Sequence, residues 1–259
     1  MDQTRGTKIN QLMLAWPNGT IKNSEELAKL EINKSLVQGY MEQGWLVSVG
    51  RGAYAKSHDT PTWLGGLHSL QQKDKPFIHA GGRTALELQG YTHYVSAQKR
   101  EIFLFAPPKT KLAAWFARYD WGQKVVFTST SLFSDSPSDS FTEHYAGTFT
   151  VKISSPERAI LELLHHVPQK VSFDEAFQLM QGLGTLRPTL LQTLLEECNS
   201  IKAKRLFLYL ARESGHRWLS RIKRDSIQLG SGKREIVKNG MLDKEFNITV
   251  PKNNEEELF

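Results

Sequence analysis

The chain has 259 residues, 39% of them hydrophobic and 10% aromatic, and a formal net charge of +6. That is enough apolar material for one large or two ordinary cores, which excludes a disordered polyampholyte, and the positive balance suits a polyanionic partner. The single cysteine, Cys198, excludes an intramolecular disulfide framework and a CxxC metal site; with no signal-like N-terminal run and no stretch near the roughly 18–20 apolar residues of a membrane span, a cytoplasmic protein is expected.

Residues 1–7 are polar and expected to be loose. In Lys8–Trp16 the apolar residues Ile9, Leu12, Met13 and Trp16 recur at helical spacing, and Pro17-Asn18-Gly19 ends the helix. The next stretch, Ser24–Lys56, organises the chain. Asn23-Ser24 is a cap signal, followed by Glu25 and Glu26, whose carboxylates oppose the positive end of a helix dipole. Glu31-Ile32-Asn33 makes a turn, with Asn33 placed to cap a second helix. On that helix Leu36, Val37, Tyr40 and Met41 form an apolar stripe, while Ser35, Gln38 and Glu42, flanked by Lys34, form the polar face. Gly44 stops it. Trp45–Val49 alternates with a period of two, Gly50-Arg51-Gly52 turns, and Ala53-Tyr54-Ala55 returns.

Two helices followed by an arginine-tipped ribbon predict a winged helix-turn-helix, which lays its second helix in the DNA major groove. Gln38 has the chemistry to bridge an adenine edge with two hydrogen bonds. Lys34 suits a phosphate, Ser35 lies on the same face, and Arg51 suits a phosphate or the minor groove. A helix-turn-helix outline also occurs in domains that bind protein or nothing; the Gly-Arg-Gly tip favours DNA.

Ser57–Pro61 reads as a polar linker, which puts the domain boundary between residues 1–58 and 59–259. Trp63–Gln71 reads as a connecting helix and Pro76–His79 as a short strand. Gly81-Gly82-Arg83-Thr84 opens a helix over Ala85–Gln89, either as a tight connection or as bared N–H groups facing an anion. Glu101–Ala106 is a buried strand, Leu112–Ala117 a short helix, Lys124–Thr128 a strand and Ser134–Ser140 a loop. Phe149–Ile153 is a strand that runs into a helix over Ala159–His165, capped by Ser154 or by Ser155 with Pro156 at its first position. Phe173–Gln181, Leu190–Cys198 and Lys204–Arg212 are helices. Ile222–Leu229, Arg234–Lys238 and Phe246–Val250 read as strands joined by Gly230-Ser231-Gly232 and by Asn239-Gly240, a hairpin signal. The tail Asn253–Phe259 is acidic and expected to fray. The fold class is α+β: a winged N-terminal domain and a larger mixed C-terminal domain.

Catalytic and metal signatures fail on spacing. Gly230–Lys233 lacks the rest of a phosphate loop, His165-His166 lacks HExxH spacing, and no GxSxG elbow is present. A non-enzyme without metal or cofactor is expected. The charge has a second centre. Residues 1–56 hold seven Lys/Arg against five Asp/Glu, whereas residues 201–240 hold eleven against three. The basic residues Lys202, Lys204, Arg205, Arg212, Arg217, Arg221, Lys223, Arg224, Lys233 and Arg234 form either a solvated face or a contact for DNA, RNA or an acidic partner.

Seven stretches in order resemble the AbiEi family, the antitoxin halves of bacterial type IV abortive-infection toxin–antitoxin systems. They are the winged segment ending VSVGRGAY, HAGGRTALELQGYTHY, VKISSPERAILELL, LRPTLLQTLL, KRLFLYLA, HRW, and IQLGSGKREIVKNGMLDKEFNITVP. The resemblance runs from about residue 8 to 252. It implies an autorepressor whose winged helix binds inverted repeats in its own promoter, and a C-terminal domain that assists repression and opposes a nucleotidyltransferase-like toxin, usually without a stable complex. Lys34, Ser35, Gln38 and Arg51 fall where the family's DNA-facing residues lie. An alternative is a C-terminal domain that binds RNA and shields the toxin's substrate.

Overall fold

The computed structural model describes residues 3–73, 76–91 and 101–252. The N-terminal segment is a winged helix. Helix α1 (Gln3–Ala15) begins five residues earlier than the apolar spacing predicts, so the expected loose start is helical from Gln3. It is followed by β1 (Lys22–Asn23), α2 (Ser24–Lys29), α3 (Lys34–Glu42), β2 (Leu46–Gly50) and β3 (Ala53–Lys56), with an antiparallel sheet of order β1-β3-β2. Asn23 makes a capping box: its side chain accepts from the N–H groups of Glu25 and Glu26, and Glu26 accepts from the Asn23 N–H at 2.9 Å. Such a cap contributes about 1 kcal/mol. Ile9, Leu12, Trp16, Leu27, Ile32, Val37, Tyr40 and Leu46 form the core, at roughly 1.5–3 kcal/mol for each fully buried large side chain.

The expected linker is tied down. The Gly19 N–H donates to Asp59 Oδ2 at 2.5 Å, and Thr62 N–H donates to the Gly19 carbonyl at 3.0 Å. Helix α4 (Trp63–Gln71) then packs so close that a Cβ on Gly65 would stand 1.8 Å from the Gly19 carbonyl oxygen.

The rest of the chain places β4 (His79–Ala80), α5 (Gly82–Leu88), β5 (Glu101–Ala106), α6 (Ala114–Arg118), β6 (Lys124–Ser129), β7 (Phe141–Tyr145) and β8 (Thr150–Ser154) around a five-stranded sheet of order β6-β5-β4-β8-β7. Strand β7 escapes sequence reading because it follows a Ser/Asp/Pro loop and carries polar residues on both faces. Helices α7 (Pro156–His165), α8 (Phe173–Gln181), α9 (Pro188–Glu197) and α10 (Ile201–Glu213) follow. The cap of α7 is Ser155, with Pro156 in the first turn.

The last segment departs from expectation. Ile222–Leu229 is not a strand; it contains a 3-10 turn at Arg224–Ser226, and Ile222 and Ile227 are buried singly. The terminal sheet is β9 (Arg234–Glu235), β10 (Met241–Asp243) and β11 (Ile248–Val250), in the order β10-β11-β9. Asn239-Gly240 does not join a hairpin, because β9 pairs in parallel with β11. Gly240 serves close approach instead: a Cβ there would lie 2.1 Å from the Val250 carbonyl oxygen. The tail Asn253–Phe259 lies outside the described residues.

Two compact units result. The first is Met1–His79, Leu104–Ser129 and Glu143–Lys152; the second is Ala80–Phe103, Thr130–Thr142 and Ile153–Phe259. In the second, α7 is buried on every side from Glu157 to Leu164, its three charged residues included, rather than along one stripe. Each charge has a partner. Glu162 accepts from the Gly82 N–H (3.0 Å), the Ser154 hydroxyl (2.7 Å) and Arg158 Nε (2.8 Å), and Glu157 accepts from the Arg187 N–H, Nε and Nη2. Arg158 also lies over the rings of Phe133 and Phe141. The anion at the double-glycine turn is thus the protein's own Glu162.

Candidate nucleic-acid interface

The polar ridge of α3 follows from its cap and its stripe. Asn33 accepts from the Leu36 N–H at 2.9 Å and fixes where the helix starts. With Val37 and Tyr40 in the core, Lys34, Ser35, Gln38 and Glu42 must face outward, and all four are exposed. Gln38 Nε2 donates to Glu42 Oε1 at 3.0 Å, an i,i+4 pair along the ridge. That bond holds the amide in one orientation, and bidentate contact with an adenine edge requires Gln38 to exchange it. Glu42 is an acceptor of the kind that meets a cytosine amino group.

The ribbon beside the ridge is held at both ends. Gly52, at φ +73°, supplies a carbonyl to the Ser24 N–H at 3.0 Å, which pins the returning strand to the start of α2. Gly50 is glycine because another element leaves no room: a Cβ would stand 2.7 Å from Trp115 Cβ. Arg51 projects between them, exposed. Among the described residues neither Lys34 nor Arg51 forms an ion pair.

The basic stretch of the second unit is not brought together as one exposed patch. Lys204 and Arg205 are buried, with 2% and 3% of their surface exposed. The Arg205 guanidinium donates to the carbonyls of Leu229, Gly230, Ser231, Gly232 and Asn247 at 2.6–3.1 Å, so Gly230-Ser231-Gly232 wraps a cation instead of turning a hairpin. Lys202 donates to the carbonyls of His165 and Val167. Arg212 pairs with Asp243, Glu245 and Glu213; burial opposes its charge, but those carboxylates outweigh it and raise its pKa. Arg224 shares Glu245. Arg217, Arg221, Lys223, Lys233 and Arg234 remain exposed without an ion pair among the described residues.

Of the other side chains singled out by their chemistry, Cys198 and His166 are buried and His165 is half-buried. Burial pushes the Cys198 thiol up to about 11 and, with Lys170, His165 and Lys202 nearby, pushes the His166 imidazole down to about 4. Among the described residues no group of three or more His, Cys, Asp or Glu is placed to hold a metal, and no helix is long and apolar enough to cross a membrane.

Two family descriptions match the chain. Residues 5–97 match one described as a transcriptional regulator, AbiEi antitoxin N-terminal domain, and residues 99–251 match one described as a transcriptional regulator, AbiEi antitoxin, type IV TA system. No curated protein matches in sequence. Among solved structures, the RV2827C protein from Mycobacterium tuberculosis is similar in fold, with a TM-score of 0.63 at 15% identity over 95% of this chain and 90% of that one.

Proposed function

Because the chain belongs to the AbiEi family of antitoxin transcriptional regulators of type IV toxin–antitoxin systems, we propose that its winged helix binds inverted repeats in its own promoter. In this reading α3 enters the major groove and Arg51 meets the backbone or the adjacent minor groove. Gln38 and Ser35 read base edges, and Lys34 fixes register on a phosphate. The observation that carries the reading is the exposed ridge of Lys34, Ser35 and Gln38 beside an exposed Arg51 that forms no ion pair among the described residues. The region beyond residue 58 opposes a cognate nucleotidyltransferase-like toxin, an assignment supported by family membership.

Binding to the chain's own upstream DNA tests the reader. Arg51→Ala should weaken binding to every sequence and lower the salt slope by about one unit, since phosphate contacts carry no sequence information. Gln38→Ala should instead relax specificity at one base pair, by roughly 1–3 kcal/mol. If both variants bind as the parent does, the reading surface is elsewhere. Co-expression with a cognate nucleotidyltransferase-like toxin tests the second half: the parent and Arg51→Ala should both protect growth; no protection by the parent would overturn the assignment, and loss in Arg51→Ala alone would tie antagonism to DNA binding.

A further inference from the structure

The first unit holds a concave site that the DNA reading does not use. A cavity of about 620 Å³ opens where the segment after the wing enters α4, within the size range of small-molecule sites. Four aromatic residues line it: Trp63 at the start of α4, Tyr119 at the end of α6, Trp121 and Phe149. The Trp121 ring is fixed from several sides. Its Nε1 donates to the Phe116 carbonyl at 2.9 Å, and its centroid lies 4.8 Å from that of Phe116 and 4.5 Å from that of Tyr119. Gly66 makes room for it, since a Cβ there would stand 2.7 Å from Trp121 Cη2. Phe149 is buried, while Trp63, Tyr119 and Trp121 are half-buried and keep ring surface towards the cavity.

The charge of this lining runs against that of the chain. Of 33 Lys and Arg residues none lines the cavity among the described residues, and the one charged lining group is Asp120. Its Oδ1 accepts from the Gly122 N–H at 2.9 Å, which holds the carboxylate in place at an exposed position. Arg118 and Lys124 flank the stretch in sequence but are exposed and outside the lining. Lys56 touches the lining residue Asn18, and its ammonium is engaged there: it donates to Asn18 Oδ1 and to the Trp16 carbonyl. A phosphate or carboxylate entering the cavity would meet a carboxylate and no compensating cation. A cation gains twice, from the negative faces of Trp and Tyr rings and from the full charge of Asp120.

We propose that this pocket binds a small organic cation, with a methylated ammonium or a guanidinium group seated on the Tyr119–Trp121 pair and facing Asp120. The cavity is larger than such a head group, so the ligand carries its charge on a longer body that extends along Trp63 and Phe149. The site is independent of the α3 ridge and of Arg51.

The test is calorimetric titration of the full chain with tetramethylammonium and with methylguanidinium, at matched ionic strength. Neopentyl alcohol serves as the neutral isostere and adenosine monophosphate as an anion that can stack. Both cations should bind saturably at one site, and neopentyl alcohol at least ten-fold more weakly. Asp120→Asn keeps an oxygen for the Gly122 N–H and removes the charge; it should weaken the cations by about five-fold and leave the alcohol unchanged. Tyr119→Leu should weaken them by about ten-fold. Equal binding of alcohol and cation would reduce the pocket to an apolar cleft and overturn the proposal. So would tighter binding of adenosine monophosphate, unaltered cation binding by Asp120→Asn, or the absence of saturable cation binding by the parent.

Discussion

The chain has two cation-bearing regions, and they use their charge in opposite ways. The winged segment is nearly balanced in sequence, yet Lys34 and Arg51 stand in solvent without an ion pair among the described residues. The stretch 201–240 is far more basic, yet much of its charge is spent inside the second unit: Arg205 on five carbonyls, Lys202 on two, Arg212 and Arg224 on carboxylates. Charge counted along a sequence is therefore a poor guide to charge offered to a partner. A cation already desolvated and hydrogen-bonded contributes to folding and has little left for a polyanion.

The largest expected effect lies in the internal cations. Arg205→Ala strands several buried carbonyls and should cost more than about 3 kcal/mol in urea unfolding. If that variant folds normally, the wrapped loop is not what orders residues 229–232. Next is a pH effect in the same unit. Burial holds His166 neutral in the fold, its imidazole pushed down to about 4 from an ordinary value near 6.5. The unfolded chain takes up a proton first, so this contribution is complete above pH 6.5 and lost as the pH falls from 6.5 towards 4. The loss is on the order of 3 kcal/mol. His166→Gln should flatten most of that slope in denaturant titrations, with the remainder from His165, which burial also lowers. A third test addresses the wing. Gly50→Ala puts a methyl against Trp115 and should lower DNA affinity several-fold; unaltered affinity would mean that Trp115 does not fix the wing. The smallest effect should come from Arg217→Gln, an exposed site expected to change stability by less than about 0.5 kcal/mol.

How much could be read from the sequence follows the range of the interactions involved. The winged helix was legible because its punctuation is local: Asn23, Asn33, Gly44, Gly50 and Gly52 each act within a few residues of the element they bound. The α3 ridge was legible for the same reason, since one apolar stripe fixes which side chains face outward. Residues 222–240 were not. Their conformation is set by Arg205, some 25 residues upstream, and by a parallel pairing to β11 that no turn motif signals. The burial of Lys204 and Arg205 was equally hidden, because α10 is enclosed on all sides from Ala203 to Ala211 and its polar start reads as an ordinary helix end. Gly50 read as a turn residue; its closeness to Trp115 depends on a helix more than sixty residues away.

The central claim is that DNA is read by the exposed cations of the first unit and not by the basic stretch of the second. The direct measurement is a side-by-side titration of the chain's own upstream DNA with two full-length variants. One carries Lys34→Gln and Arg51→Ala; the other carries Arg217→Gln, Arg221→Gln and Lys223→Gln. The first should lose binding by ten-fold or more and the second should bind within two-fold of the parent. The opposite order would contradict the account.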